Sequence, residues 1–266
     1  MQRFEALLGK KPVIAMVHLK ALPGTPLYEG DVELIVETAR HDLLALQEAR
    51  VDAVMFCNEN DRPYEIVAGP ASTATMAYVI GRLRKDIEVP FGVDVLWDPL
   101  ATIALAAATG AHFAREVFTG LYGSDMGLWQ GRAAEALRYR RLLDRNDLLL
   151  FYNVSAEFAS PLDTRSLVER ARSAVFSSLA DAILVSGPMT GEAAPLEHIA
   201  AVKKALPNVP VLANTGVRHE TVTEVLRVAD GVIVGTALKR DGITWNEVDP
   251  ARAKAFMDIV RKARGY

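Results

Sequence analysis

Short runs of apolar, β-branched residues alternate along the chain with longer stretches in which apolar positions recur at helical spacing. That alternation predicts repeated βα units around a parallel sheet. The predicted strands are VIAMVH (13–18), DAVMFC (52–57), FGVDVL (91–96), AHFAREV (111–117), LLLFYNV (148–154), DAILVS (181–186), VPVLAN (209–214) and GVIVG (231–235). Eight such strands are the number that closes a barrel.

The helices between them carry start signals. Asp31 precedes a stretch with Leu34, Ile35, Ala39, Leu43 and Leu46 on one face, and Asp98-Pro99 and Asp249-Pro250 each place an N-cap before a proline at the first helical position. Ser166 and Glu169 fit a capping box, and the last helix is expected to bury Ala253, Phe256, Met257 and Val260. No Ser/Gly linker, charge block or low-complexity segment divides the 266 residues. The reading is therefore α/β, a single (β/α)8 TIM barrel domain over 1–266, with an open doubly wound sheet as the structural alternative.

Composition narrows the classes. A net charge of -3 without a long basic run leaves no electrostatic footprint for nucleic acid. Cys57 is the sole cysteine, so no internal disulfide forms. MQRFEALLGKKP holds no apolar stretch of signal-peptide length, and ATIALAAATGAHFA (101–114) is too short to span a bilayer. A cytoplasmic protein without an integral membrane segment is expected, and its Ala- and Leu-bearing helix faces are compatible with a homo-oligomer.

In such a barrel the chemistry sits at the C-terminal ends of the strands, where the loops converge. Those ends offer His18, Asn58 with Glu59, Asp94, Glu116, Asn153, Ser186, Asn214, and Gly235 with Thr236. His18, Asp94 and Glu116 form a candidate catalytic acid/base set, because neighbouring carboxylates raise each other's pKa and imidazole titrates near neutrality. Each also has a purely structural reading, as a hydrogen-bonded strand-end residue or a satisfied core carboxylate. The same three side chains offer donors to a divalent metal, the alternative to a site without metal or other cofactor. Arg115 falls on the opposite strand face from Glu116 and is not expected as its partner. Asn58, Glu59, Arg62, Asp125, Asn153 and Ser186 are candidate substrate-binding residues, with Asp125 equally a helix cap.

The last two strands run into ANTGV (213–217) and VGTALKRDG (234–242). Phosphate-binding barrels use these two loops, where glycine lets backbone amides approach the anion. Asn214, Thr215, Gly216, Gly235, Thr236 and Ala237 are thus a candidate phosphate cradle, with Lys239 as an added charge; the plainer reading is that the glycines only make tight turns. The long first and fourth loops, LKALPGTPLYEGD (19–31) and FTGLYGSDMGLW (118–129), are expected to be lids or interface elements. There is no P-loop, GxGxxG, GxSxG, HExxH or paired CxxC. Nucleotide-driven phosphoryl transfer, Rossmann redox chemistry and serine hydrolysis lose support accordingly.

Several stretches are distinctive together: MVHLKALPGTPLYEG (16–30), FCNENDRPYE (56–65), FGVDVLWDP (91–99), REVFTGLYGSDMG (115–127), VLANTGV (211–217) and GTALKRDG (235–242). Through them essentially the whole chain resembles the BtpA/SgcQ-type family of (β/α)-barrel proteins, nearer to its SgcQ-like, sugar-operon branch. The resemblance implies a barrel. One branch is linked with photosystem I accumulation, the other with sugar gene clusters and a nucleosidase-like label, and no shared set of catalytic residues comes with either. The expectation is an enzyme, whether isomerase, epimerase, lyase or nucleosidase-like, acting on a phosphorylated sugar or nucleoside-type small molecule. The alternative is a non-catalytic biogenesis or assembly factor that docks partners on the barrel.

Overall fold

The computed structural model describes residues 1–265. Eleven strands follow one another along it: β1 (Val13–His18), β2 (Ala53–Cys57), β3 (Phe91–Asp94), β4 (Phe113–Glu116), β5 (Leu121–Ser124), β6 (Gly127–Gln130), β7 (Leu149–Asn153), β8 (Ala159–Pro161), β9 (Ala182–Ser186), β10 (Val211–Asn214) and β11 (Gly231–Val234). Eight of them, β1 to β4, β7 and β9 to β11, close a parallel barrel in which β11 returns to pair with β1. These are the eight expected strands, and the fold is a TIM barrel.

Helix starts follow the sequence. Asp31, Asp98 and Asp249 each accept two amides of the turn they open, and Ser166 and Glu169 bond reciprocally. Such a cap contributes about 1 kcal/mol. Leu34 departs from the expected stripe, being 36% exposed, because Ile35 and Val36 take the inner positions of that turn.

Strand alternation sorts the barrel into two layers. Ile14, Met16, Met55, Phe113, Phe151, Leu184 and Ile233 fill the interior, while Val13, Ala15, Val17, Ala114 and Leu150 face the helices. Gly92 makes room for one of them: a Cβ there would lie 2.1 Å from the Phe113 ring. The helix Gln2–Leu8, for which the sequence offers no cap, closes the far end by burying Phe4 and Leu8 in this interior cluster, with the Phe4 ring 5.7 Å from Phe151.

The fourth loop is not an open lid. It forms the hairpin β5–β6, which with β8 makes a three-stranded antiparallel sheet ordered β6-β5-β8. Its inner face drops Tyr122 and Trp129 over the barrel mouth, Trp129 lying 5.0 Å from Trp97 between ring centroids. Among the described residues no helix is long and apolar enough to cross a membrane.

Candidate functional site

Counting by twos from the interior side chains sets the polar ring at the strand ends. It reads His18, Cys57, Asp94, Arg115, Asn153, Ser186, Asn214 and Gly235. On β4 Phe113 points inward and Ala114 toward the helices, so Arg115 rather than Glu116 projects into the barrel. This reverses the sequence expectation that Glu116 faces the site; Arg115 lies on the opposite strand face from it and pairs with other carboxylates. Its guanidinium donates to Asp94 Oδ2 at 3.0 Å and to both oxygens of Glu157 at 2.9 Å.

Glu157 sits four residues beyond β7 and is gripped from two more sides, by Asn153 Nδ2 and Asn214 Nδ2 at 3.2 Å each. Asn214 also donates to Ser186 Oγ at 2.7 Å. Asn153 and Ser186 therefore brace the ion cluster and do not line the cavity above it. Every member of the cluster is 7% exposed or less. Charges buried this deeply persist because each has a partner, since an isolated ion costs several kcal/mol to desolvate.

Asp94 and Glu116 form a carboxyl pair under Arg115. They are hydrogen-bonded to each other, and Glu116 also accepts the Val117 amide at 2.9 Å. Burial pushes Asp94 up to about 7, and burial followed by the Asp94 charge pushes Glu116 well above its ordinary value. Asp94 Oδ1 and Glu116 Oε1 have no other donor, and one proton held between the carboxyls satisfies both. Neither wall of the cavity is theirs. Of the acid/base trio expected from sequence, only His18 faces open space.

That space is a cavity of about 40 Å3 walled by His18, Glu59, Trp97, Arg115, Glu157 and Asn214. Three buried polar atoms of its walls lack a partner: His18 Nδ1, Trp97 Nε1 and Arg115 Nε. Burial pushes His18 down to about 4, so the imidazole is neutral at pH 7. Glu59 accepts the Thr190 hydroxyl at 2.9 Å, and the Tyr64 hydroxyl donates to the Glu59 carbonyl at 3.0 Å. Gly235 clears room for the ring, as a Cβ there would lie 2.9 Å from His18 Cε1.

Other sequence candidates lie elsewhere. Asn58 accepts the Leu96 amide and donates to Asp61, bracing two loops. Arg62 stacks on Trp245, 3.4 Å from the ring centroid, outside this cavity. Asp125 is exposed at the hairpin turn and does not cap a helix. His18, Asp94 and Glu116 are not assembled as a ligand set: Asp94 and Glu116 are occupied below, and among the described residues no three His, Cys, Asp or Glu side chains are arranged to hold an ion.

Opposite the ion cluster the backbone is left open. Thr215 and Gly216 are both left-handed at φ 64, and a Cβ on Gly216 would fall 2.1 Å from the Ala193 nitrogen. The Thr215 hydroxyl accepts the Gly187 amide and donates to the Glu192 carbonyl, both at 3.0 Å. Thr236 opens a short 3-10 turn, Thr236–Leu238, with its hydroxyl on Thr244. Among the described residues the amides of Gly216, Val217, Thr236 and Ala237 have no acceptor. They wall a second cavity of about 500 Å3 that joins the first along Gly191, Gly216, Val217 and Thr236. Lys239 does not serve it. That side chain is 1% exposed and paired with the buried Asp42, which also takes the Val248 amide.

Residues 9–262 match the model of the BtpA family. The chain is 43% identical over 262 residues to the putative sgc region protein SgcQ of Escherichia coli, with 98% of each chain covered. It is 33% identical over 263 residues to the photosystem I biogenesis protein BtpA of Synechocystis, covering 98% of this chain and 91% of that protein. Among solved structures, GGGPS from Thermoplasma volcanium matches with a TM-score of 0.61 at 12% identity, over 100% of this chain and 97% of the other. Phosphoribosyl anthranilate isomerase from Thermococcus kodakaraensis matches with a TM-score of 0.54 at 17% identity, over 94% and 99%. At these identities the structural likeness speaks for the barrel alone.

Proposed function

The chain belongs to the BtpA family, and on that footing we propose that it is an enzyme acting on a phosphorylated sugar or nucleoside-type small molecule. The observation that carries this reading is the joining of two cavities of complementary kind. Four unpaired amides line one, and unpaired polar atoms of His18, Trp97 and Arg115 line the other. A phosphate over Gly216, Val217, Thr236 and Ala237 leaves its sugar pointing at His18 and Glu59.

In that pose neutral His18 accepts or relays a proton, Glu59 and Asn214 orient hydroxyls, and Arg115 stabilises developing negative charge. The Asp94–Glu116 pair holds its proton beneath Arg115 and fixes the charge there. These roles suit proton-transfer chemistry of the isomerase, epimerase, lyase or nucleosidase-like kind. The name of the phosphoribosyl anthranilate isomerase, a protein of the same fold, is in keeping with a phosphosugar at these loops.

A second reading has its own support. The BtpA relative is named for photosystem I biogenesis, and the outer side of the three-stranded sheet presents Leu121, Leu128 and Leu162 at 42%, 72% and 54% exposure. A docking factor would use that face. A thermal-shift screen with inorganic phosphate, sugar phosphates and nucleotides separates the two. A ligand at a hundred times its Kd stabilises the fold by about 2.7 kcal/mol. No shift at millimolar ligand would sink the enzyme reading.

A further inference from the structure

We propose that the outer cavity takes a second anionic group, so that the ligand is a diphosphate ester and not a monophosphate; this rests on the phosphate reading above. At about 500 Å3 the outer cavity is far larger than one tetrahedral anion, and its wall runs on from the unpaired amides to Arg218 and Arg252. A single phosphate seated on Gly216 and Thr236 leaves both guanidinium groups facing empty wall.

Those arginines are also held ready for an anion. Arg252 lies in the first turn of the helix Pro250–Arg264, its amide capped by Asp249. Its Nε donates to the Ala237 carbonyl at 3.2 Å, which fastens it to the same turn that offers the Ala237 amide. A Cβ on Gly242 would lie 3.4 Å from Arg252 Nη2, so the loop leaves the fork end clear. Among the described residues neither terminal nitrogen of Arg252 has an acceptor. One N–H positions the group and the fork is left over, the geometry that grips a phosphate bidentately.

Arg218 approaches from the other loop. It is exposed and touches only the Gly191 carbonyl, at 3.4 Å. His219 serves as a strut, its Nε2 donating to the Arg252 carbonyl at 3.0 Å and its ring set edge-on to Phe256. Among the described residues Glu220 is the one carboxylate on this wall, and it is exposed. Two guanidinium groups against one solvated carboxylate leave the outer cavity positive, while the inner cavity is acidic. The inner group of the ester rests on the amides and the outer one between the arginines.

Calorimetric titration of the full chain with inorganic phosphate and with pyrophosphate at fixed ionic strength tests this. Pyrophosphate is expected to bind about tenfold tighter than phosphate. Arg252→Gln and Arg218→Gln should each shrink that preference while leaving phosphate affinity within about threefold. Arg218 is exposed, so Arg218→Gln alone decides the matter if Arg252→Gln does not fold. Equal affinity for the two anions in the parent chain, or a preference that survives both replacements, overturns the diphosphate assignment and leaves the phosphate reading standing. Failure of both anions to bind overturns the two together.

Discussion

The two sides of the barrel mouth treat polar groups in opposite ways. Around Arg115 nearly every charge is answered from within: Asp94 and Glu157 by the guanidinium, Glu157 again by two asparagines, Glu116 by an amide and by Asp94. After β10 and β11 the donors are left unanswered, and Gly216 strips away the side chain that would cover them. An internally satisfied network fixes a shape. A row of free donors leaves room for an acceptor from outside. The contrast separates what folding settles from what it leaves open.

The strongest way to break it is Arg115→Met. Removing the cation leaves the buried Asp94 and Glu157 without their counter-charge, and a loss of about 3–5 kcal/mol is expected from urea unfolding. A loss under about 1 kcal/mol would mean the cluster is not the rigid side.

Glu116→Gln sharpens the contrast through pH. The folded pair keeps a proton that the unfolded chain releases near 3.8, the ordinary Asp value, and Asp94 is raised to about 7. A raised folded pKa gives stability that is complete below 3.8 and lost as pH climbs toward 7. Glutamine carries its own hydrogens and does not titrate, so the variant should gain on the parent across that window by up to about 1.4 kcal/mol per pH unit. Unfolding curves that run parallel with pH would refute the shared proton.

The smallest effect belongs to Asp125→Asn. At an exposed turn it should change stability by less than about 0.5 kcal/mol and leave any phosphate-dependent shift in Tm untouched. Loss of that shift would draw the hairpin into the site.

What the sequence disclosed follows from what is local. Buried parallel strands are near-continuous apolar runs and caps are short-range, so the barrel and its helix starts could be read off. The helix Gln2–Leu8 spans 7 residues, too few for a period to emerge, and β8 exists only because Ser160 meets Gly123 across the sheet. His18, Gly216 and Gly235 were legible as strand-end features. Glu116 was placed in the site and Arg115 passed over because both faces of a barrel strand are buried, which leaves alternation without a phase until Phe113 is seen seated against Gly92. Glu157 lies beyond the strand and carries no motif. Lys239 looked free because its partner, Asp42, is 197 positions away.

The closure of β11 on β1 bears on when the site comes into being. Every residue of the Arg115 cluster except Ser186 and Asn214 is synthesised by position 157, whereas the second rim of the cradle arrives with the final strand. A growing chain thus holds most of the ion cluster long before the loops after β10 and β11 exist. At the seam β1 and β11 share three register pairs, and Arg264 of the last helix ties the end of the chain to its start by gripping Asp52 and the Lys11 carbonyl. A ligand held in the proposed pose, between the β11 loop and His18 at the end of β1, would therefore add a link across the ring where its first and last staves meet.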